Sequence, residues 1–121
     1  MGFIYYLKKL RDGFVINQVK KINLPHFNPS PIVRKKVIFS GRVQKVGFRL
    51  EINELAKRLN LTGWVKNRND KNVEAELQGE IKKIHFMIKY MKSLKRASVR
   101  DVTTNEIPII DNDTEFALIK E

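Results

Sequence analysis

The run Ser40-Gly-Arg-Val-Gln-Lys-Val-Gly-Phe-Arg49 has the composition of a loop that ends at the head of a helix. N–H groups in a first helical turn lack intrahelical acceptors, and together with the helix dipole they make an anion site. Arg49 adds a planar fork of donors matched to two phosphate oxygens. Asn67 closes a second run, Gly63-Trp-Val-Lys-Asn67. Its carboxamide both donates and accepts, as the positioning of one water molecule requires. Read singly, each residue has a plainer explanation that spacing leaves standing. Arg49 fits a surface residue at a helix N-terminus with Gly41 and Gly47 making a turn, and Asn67 fits a strand-end turn residue. Two glycines do not specify a phosphate loop. With no Gly-Lys-Ser or Gly-Lys-Thr following them, a nucleotide-type site is unsupported.

Such side chains need elements to hold them. Lys36-Val-Ile-Phe-Ser-Gly41 is a short, β-rich run ended by glycine, which predicts a buried strand. Ile52, Leu55, Ala56 and Leu59 fall at helical spacing, with Glu51, Glu54, Lys57 and Arg58 on other faces, and predict a helix from about Phe48 to Asn60. Thr62 to Asn67 reads as a second strand and Asn69 to Asn72 as a turn. Val73, Ala75 and Leu77 then alternate with Glu74, Glu76 and Gln78 as a half-buried third strand does. Ile81, Ile84, Ile88 and Met91 mark a second amphipathic helix, Val99 to Ile107 a further strand, and Glu115 to Lys120 a last short one. The order β, α, β, β, α, β gives an α+β fold of two split βαβ halves, an antiparallel sheet with two helices on one face.

Upstream, three prolines between Leu24 and Pro31 leave room for neither a helix nor a central strand. Residues 1–31 therefore read as a basic N-terminal extension with a Pro-rich linker, and 32–121 as the domain. Phe3, Leu7, Leu10 and Phe14 gather on one face of a helix in the extension. That stripe is able to dock on the domain, meet a partner protein or lie on a membrane surface. Lys8, Lys9 and Arg11 break any resemblance to a signal peptide, so a cytoplasmic protein is expected.

At 121 residues with 42% hydrophobic content, the chain suits one compact core. Without cysteine it has no disulfide, thiolate metal site or thiol nucleophile. The net charge of +11 favours anionic partners, but unevenly. Residues 1–36 carry eight basic side chains and one acid, whereas 37–121 carry 16 and 12, hence +7 and +4. The domain alone makes a weaker case for a polyanion than the whole-chain figure suggests.

Taken together, Gly41-Arg-Val-Gln-x-Val-Gly-Phe-Arg49, a helix, and then Leu61-Thr-Gly-Trp-Val-x-Asn67 closely resemble the acylphosphatase family. The likeness is strong from Val37 through Gly79 and continues more weakly to the last strand. It implies a ferredoxin-like α/β sandwich that hydrolyses an acyl phosphate to carboxylate and phosphate, with no metal and no cofactor. It also implies that Arg49 binds the phosphoryl oxygens and that Asn67 holds the attacking water. The loop Val43, Gln44, Lys45, Val46, Gly47 and Phe48 would supply backbone donors. No carboxylate or histidine lies in either motif, and the resemblance implies that the substrate's own phosphate accepts the proton. Phosphate or sulfate is expected to occupy the site, and a monomer is expected.

Three positions depart from the family pattern. Lys45 stands where many relatives have glycine, and predicts either a loop without positive φ there or some strain; its charge could attract substrate but is expected to face solvent. Asp70-Lys-Asn72 replaces an Asp-Gly turn, in which Asn72 can still take a left-handed conformation. Ser93-Leu-Lys-Arg-Ala97 replaces a Gly-Pro-rich connection.

The alternative is a ferredoxin-like nucleic-acid-binding module using the basic surface. Such readers need exposed aromatics on central strands, whereas Phe39 and Phe48 fall in the acylphosphatase pattern, so no DNA or RNA is expected. Trp64 reads as core, and Lys82-Lys83 and Lys95-Arg96 as solvated faces. His26 and His85 lack a cysteine or paired-histidine partner for a metal, and Asp111-Asn-Asp113 lacks the glycine and distal glutamate of a calcium loop.

Overall fold

A computed structural model describes residues 2–121. The chain runs α1 (Gly2–Lys21), β1 (Ile32–Arg42), α2 (Phe48–Arg58), β2 (Thr62–Asn67), β3 (Val73–Glu80), α3 (Ile81–Lys92), β4 (Ser98–Ile107) and β5 (Phe116–Leu118). The strands form one sheet in the order β4-β1-β3-β2-β5. The first four pair antiparallel, as the alternating pattern predicts, while the short β5 joins β2 in parallel.

Alternation along the strands sends Val37, Phe39, Val65, Val73, Ala75 and Leu77 to one face, where all are fully buried. There they meet Ile52, Leu55 and Ala56 of α2 and Ile84, Met87 and Met91 of α3, so both helices cover the same face. Helix α2 stops in a Schellman motif. Asn60 takes φ 56, its N–H donates to Lys57 O at 3.1 Å, and the Leu61 N–H donates to Ala56 O at 2.9 Å.

Two strand ends are brought together by register. Phe39 of β1 and Asn67 of β2 both pair with Val73 of β3, from opposite sides, so the loop after β1 and the last residue of β2 emerge at the same end of the sheet. Because β5 runs parallel to β2, the segment after Leu118 reaches that end too. A bulge at Ser40/Gly41 turns the end of β1 toward it. Gly41 has φ 117, and a Cβ there would lie 2.1 Å from Ser98 O, so no other residue fits the bulge.

The opposite sheet face is polar. Arg34, only 2% exposed, pairs with Glu76 at 2.9 Å and Asp113 at 2.8 Å. Gln78 exchanges hydrogen bonds with the Ile110 backbone. The β4–β5 connection, which must travel from one sheet edge to the other, is thus fastened across this face. Trp64 belongs here as well, half-buried with Lys66 Nζ 5.3 Å from its ring centre, rather than in the core where its size alone would put it.

Residues 2–21 form a helix, but the predicted stripe is not the face that docks. Val15 and Val19 are buried, whereas Phe3, Leu7, Leu10 and Phe14 stay exposed. Arg58 of α2 caps the helix end by donating to Val19 O and Ile22 O, each at 2.7 Å. The proline segment has no regular secondary structure and is tied to α3, with Phe27 edge-on to Phe86 at 5.6 Å and the Ile81 N–H donating to Pro31 O at 2.9 Å.

Candidate active site

Phe48 anchors the site. It is fully buried and packs edge-on against Phe39 at 5.1 Å, which fixes the start of α2 on the sheet. Successive helical side chains differ by about 100° in direction, so burying Phe48 turns Arg49 outward into the cleft. Gly47 is the N-cap of α2 with φ 78, and its carbonyl accepts from the Glu51 N–H at 3.0 Å. A Cβ on Gly47 would meet Val15 Cγ2 at 2.9 Å, so glycine is required both by the backbone and by the docking of α1.

Lys45 keeps the positive φ that a glycine would take, at 62°. The second of the two expectations for this position therefore holds: the loop geometry is retained at the cost of strain, about 1–2 kcal/mol for an L-residue. Positive φ at Lys45 and Gly47, separated by Val46, curls the backbone of the loop. In the hairpin the left-handed residue is Lys71, φ 72, not Asn72. The Asp70 carboxylate accepts from the Asn72 N–H at 3.2 Å, and that bond closes the turn with Asn72 in an ordinary conformation. The same hydrogen bond, with Arg68 beside it, holds the Asp70 carboxyl below its usual range.

The loop is braced at both ends. Gln44 Nε2 donates to Arg68 O and Asn72 O, each at 2.8 Å, and ties the loop to the hairpin next to Asn67. The Gln44 side chain therefore serves as a strut. Val43 is buried beneath it. At the far side, Arg96 Nε donates to Val46 O at 2.8 Å while its guanidinium pairs with Glu51, whose side chain is fully buried. Tyr90 donates its hydroxyl to the same carboxylate at 2.8 Å. Burial first, then the Glu51 hydrogen bond and charge, push the Tyr90 hydroxyl well above its ordinary value near 10.

This network corrects two expectations. Arg96 is not part of a solvated face, and Glu51 is not on an exposed side of α2. The connection Ser93–Ala97 has its own way of holding the loop. The available signal was slight: Glu51 borders the apolar stripe beside Leu55, where a carboxylate calls for a partner.

Arg49 and Asn67 converge. Arg49 Nη1 donates to Ile119 O at 3.0 Å and lies 3.3 Å from Glu121 Oε1, while Asn67 Nδ2 donates to that same oxygen at 3.1 Å. Asn67 Oδ1 is buried without a hydrogen-bond partner. Around them is a cleft of about 400 Å³. Its wall carries the cations Lys8, Arg11, Lys45, Arg49 and Lys120 against the acids Asp12 and Glu121, five to two. Lys8 and Arg11 come from α1, which composition and spacing gave no reason to place at the cleft. Among the described residues no group of three or more His, Cys, Asp or Glu side chains is arranged to hold a metal.

A family model described as Acylphosphatase matches residues 35–118. The chain belongs to the acylphosphatase family. An acylphosphatase of Clostridium beijerinckii is 40% identical over 88 residues, which span 72% of this chain and 98% of the relative. Among solved structures, an acylphosphatase from Coxiella burnetii superposes with a TM-score of 0.67 at 32% identity, covering 73% of this chain and 93% of that one. The acylphosphatase from Bacillus subtilis gives a TM-score of 0.68 at 28% identity, covering 74% and 100%. The chain is thus an acylphosphatase with the ferredoxin-like fold, an enzyme that hydrolyses acyl phosphates. Helix α1 lies outside the matched residues, as does Glu121.

Proposed function

We propose that the chain hydrolyses acyl phosphates without a metal, with Arg49 gripping the phosphoryl oxygens and Asn67 orienting the attacking water. One observation carries this reading: Arg49 and Asn67, from a helix and a strand, direct donors at a single carboxylate oxygen, that of Glu121. A carboxylate oxygen has the charge and size of a phosphoryl oxygen, and substrate displaces the exposed glutamate from these donors. The Val43 N–H is taken up by Gly41 O at 3.1 Å, so it is the curled backbone of Gln44 to Phe48 and the head of α2 that offer N–H groups to the remaining oxygens. Lys45 stands at the cleft mouth and adds charge that draws the anion in.

Phosphoryl transfer through a loose transition state asks chiefly for positioning and for charge stabilisation on the equatorial oxygens, which these donors supply. Water attacks phosphorus, the bond from phosphorus to the acyl oxygen breaks, and the carboxylate leaves with its electron pair. The water's proton passes to a phosphate oxygen. Asn67 Oδ1, with no protein partner, accepts from the water and fixes its line of approach. Phosphate, or sulfate in its stead, binds the same donors.

The nucleic-acid reading draws less support. Phe39 and Phe48 are fully buried, and the outward side chains of β3 include the carboxylates Glu74 and Glu76. As a test, inorganic phosphate is titrated as a competitive inhibitor of benzoyl phosphate hydrolysis in EDTA. Arg49→Lys, which loses the planar fork, is expected to weaken inhibition more than ten-fold. Unchanged inhibition, or turnover abolished by EDTA, overturns the assignment.

A further inference from the structure

We propose that the outer face of α1 is a docking surface for an anionic lipid bilayer, on which the helix lies flat and carries the enzyme. Among the described residues eleven large apolar side chains are exposed, and seven belong to this one helix: Phe3, Ile4, Tyr5, Tyr6, Leu7, Leu10 and Phe14. Phe3, Tyr6, Leu7, Leu10 and Phe14 fall within about 100° of one another around the helix axis, on the side turned away from the buried Val15 and Val19. The domain therefore leaves uncovered a contiguous apolar face of the kind that soluble proteins rarely expose.

Charge selects the occupant. Lys9 and Lys20 both lie along one edge of the stripe, and Lys21 continues its line at the C-terminal end. The helix as a whole has five basic side chains against Asp12, a net of +4. That lone acid points the other way, lining the cleft beside Arg11, to which it is paired at 3.0 Å. An aromatic and leucine face edged by lysines, with no carboxylate on it, matches the interface of a bilayer bearing anionic headgroups. No helix of the described residues is long and apolar enough to cross a membrane, so the contact is with the surface. Since the inner side of α1 forms part of the cleft wall, docking holds the cleft roughly one helix diameter, about 10 Å, above the headgroups.

The test is sedimentation of the full chain with vesicles of phosphatidylcholine alone or with about 30% phosphatidylserine. Binding to the anionic vesicles is expected, with at least ten-fold weaker binding to the neutral ones and at about 0.5 M salt. Leu7→Glu with Leu10→Glu, which do not line the cleft, should abolish binding and leave benzoyl phosphate hydrolysis intact. Lys9→Gln with Lys20→Gln keeps the apolar face and should weaken binding several-fold, so the charge contribution is read even if the first variant misfolds. Failure to bind anionic vesicles, equal binding to neutral ones, or binding that survives Leu7→Glu with Leu10→Glu overturns the proposal. So does a stable dimer that buries the stripe, seen by light scattering.

Discussion

Replacing Arg96 by methionine removes one partner of a buried ion pair while keeping most of the side-chain volume. Glu51 is fully buried, so its carboxylate would retain only the Tyr90 hydroxyl as a donor. Breaking such a pair costs about 3–5 kcal/mol, and the 25% exposure of the Arg96 side chain places the loss near the lower bound, about 3 kcal/mol. For a domain of this size about 1 kcal/mol corresponds to roughly 3–5 °C, so Tm should fall by about 10 °C. The double variant Glu51→Met, Arg96→Met leaves no buried charge. It forfeits only the bonds to Val46 O and Tyr90, about 1–2 kcal/mol together, and should melt several degrees above the single variant. Activity separates from stability here, because both variants free the Val46 carbonyl and loosen the loop from Val43 to Phe48. Each should therefore lose about ten-fold or more in kcat/KM. Differential scanning calorimetry with a benzoyl phosphate assay reads both quantities. A single variant melting within about 2 °C of the parent, or a double variant melting below the single one, refutes the account of the pair.

Lys45→Gly relieves a left-handed residue worth about 1–2 kcal/mol and gives back about 0.4–1 through the freer unfolded chain. The expected net is a rise of about 2–4 °C in Tm, which Lys45→Ala should not reproduce; a fall for the glycine variant contradicts the strain. Tyr90 predicts an alkaline limit. Its folded-state value lies above the unfolded value near 10, so the native state binds more protons beyond that pH. Its contribution is fully present below about pH 10 and is lost as pH rises toward the folded value. Denaturation midpoints between about pH 8 and about pH 11 should decline less steeply for Tyr90→Phe than for the parent, and parallel curves would refute this.

Much of the fold was legible because its signals are local. Period-two alternation in Val73 to Gln78 and helical spacing in Ile52 to Leu59 each point one face at the core, and the elements formed where those patterns lie. Less legible was what depends on long-range contact. The burial of Glu51 needs Arg96, which is 45 residues away in sequence. The docking of α1 through Val15 and Val19, rather than through the longer apolar stripe, depends on Gly47 leaving space for Val15. Trp64 went to the polar sheet face because strand alternation with Val65 outranks side-chain size.

At the site, Arg49 and Asn67 were legible as a pair only through their joint spacing. Their meeting place needed the shared pairing of Phe39 and Asn67 with Val73. Gln44 looked like a loop residue and is a strut, because an amide can satisfy two carbonyls that no sequence pattern places together. The left-handed turn position went to Lys71 since the Asp70 carboxylate claims the Asn72 N–H.

The most direct test of the central claim is the hydrolysis of benzoyl phosphate in EDTA by the parent chain, Arg49→Ala and Asn67→Ala side by side. The parent is expected to turn over at full rate without metal. Arg49→Ala should lose about three orders of magnitude or more in kcat/KM. Asn67→Ala should lose about a hundred-fold or more in kcat with KM within a few-fold of the parent. Activity that vanishes in EDTA, or that persists in either variant, would contradict a metal-free site in which Arg49 holds the phosphate and Asn67 aims the water.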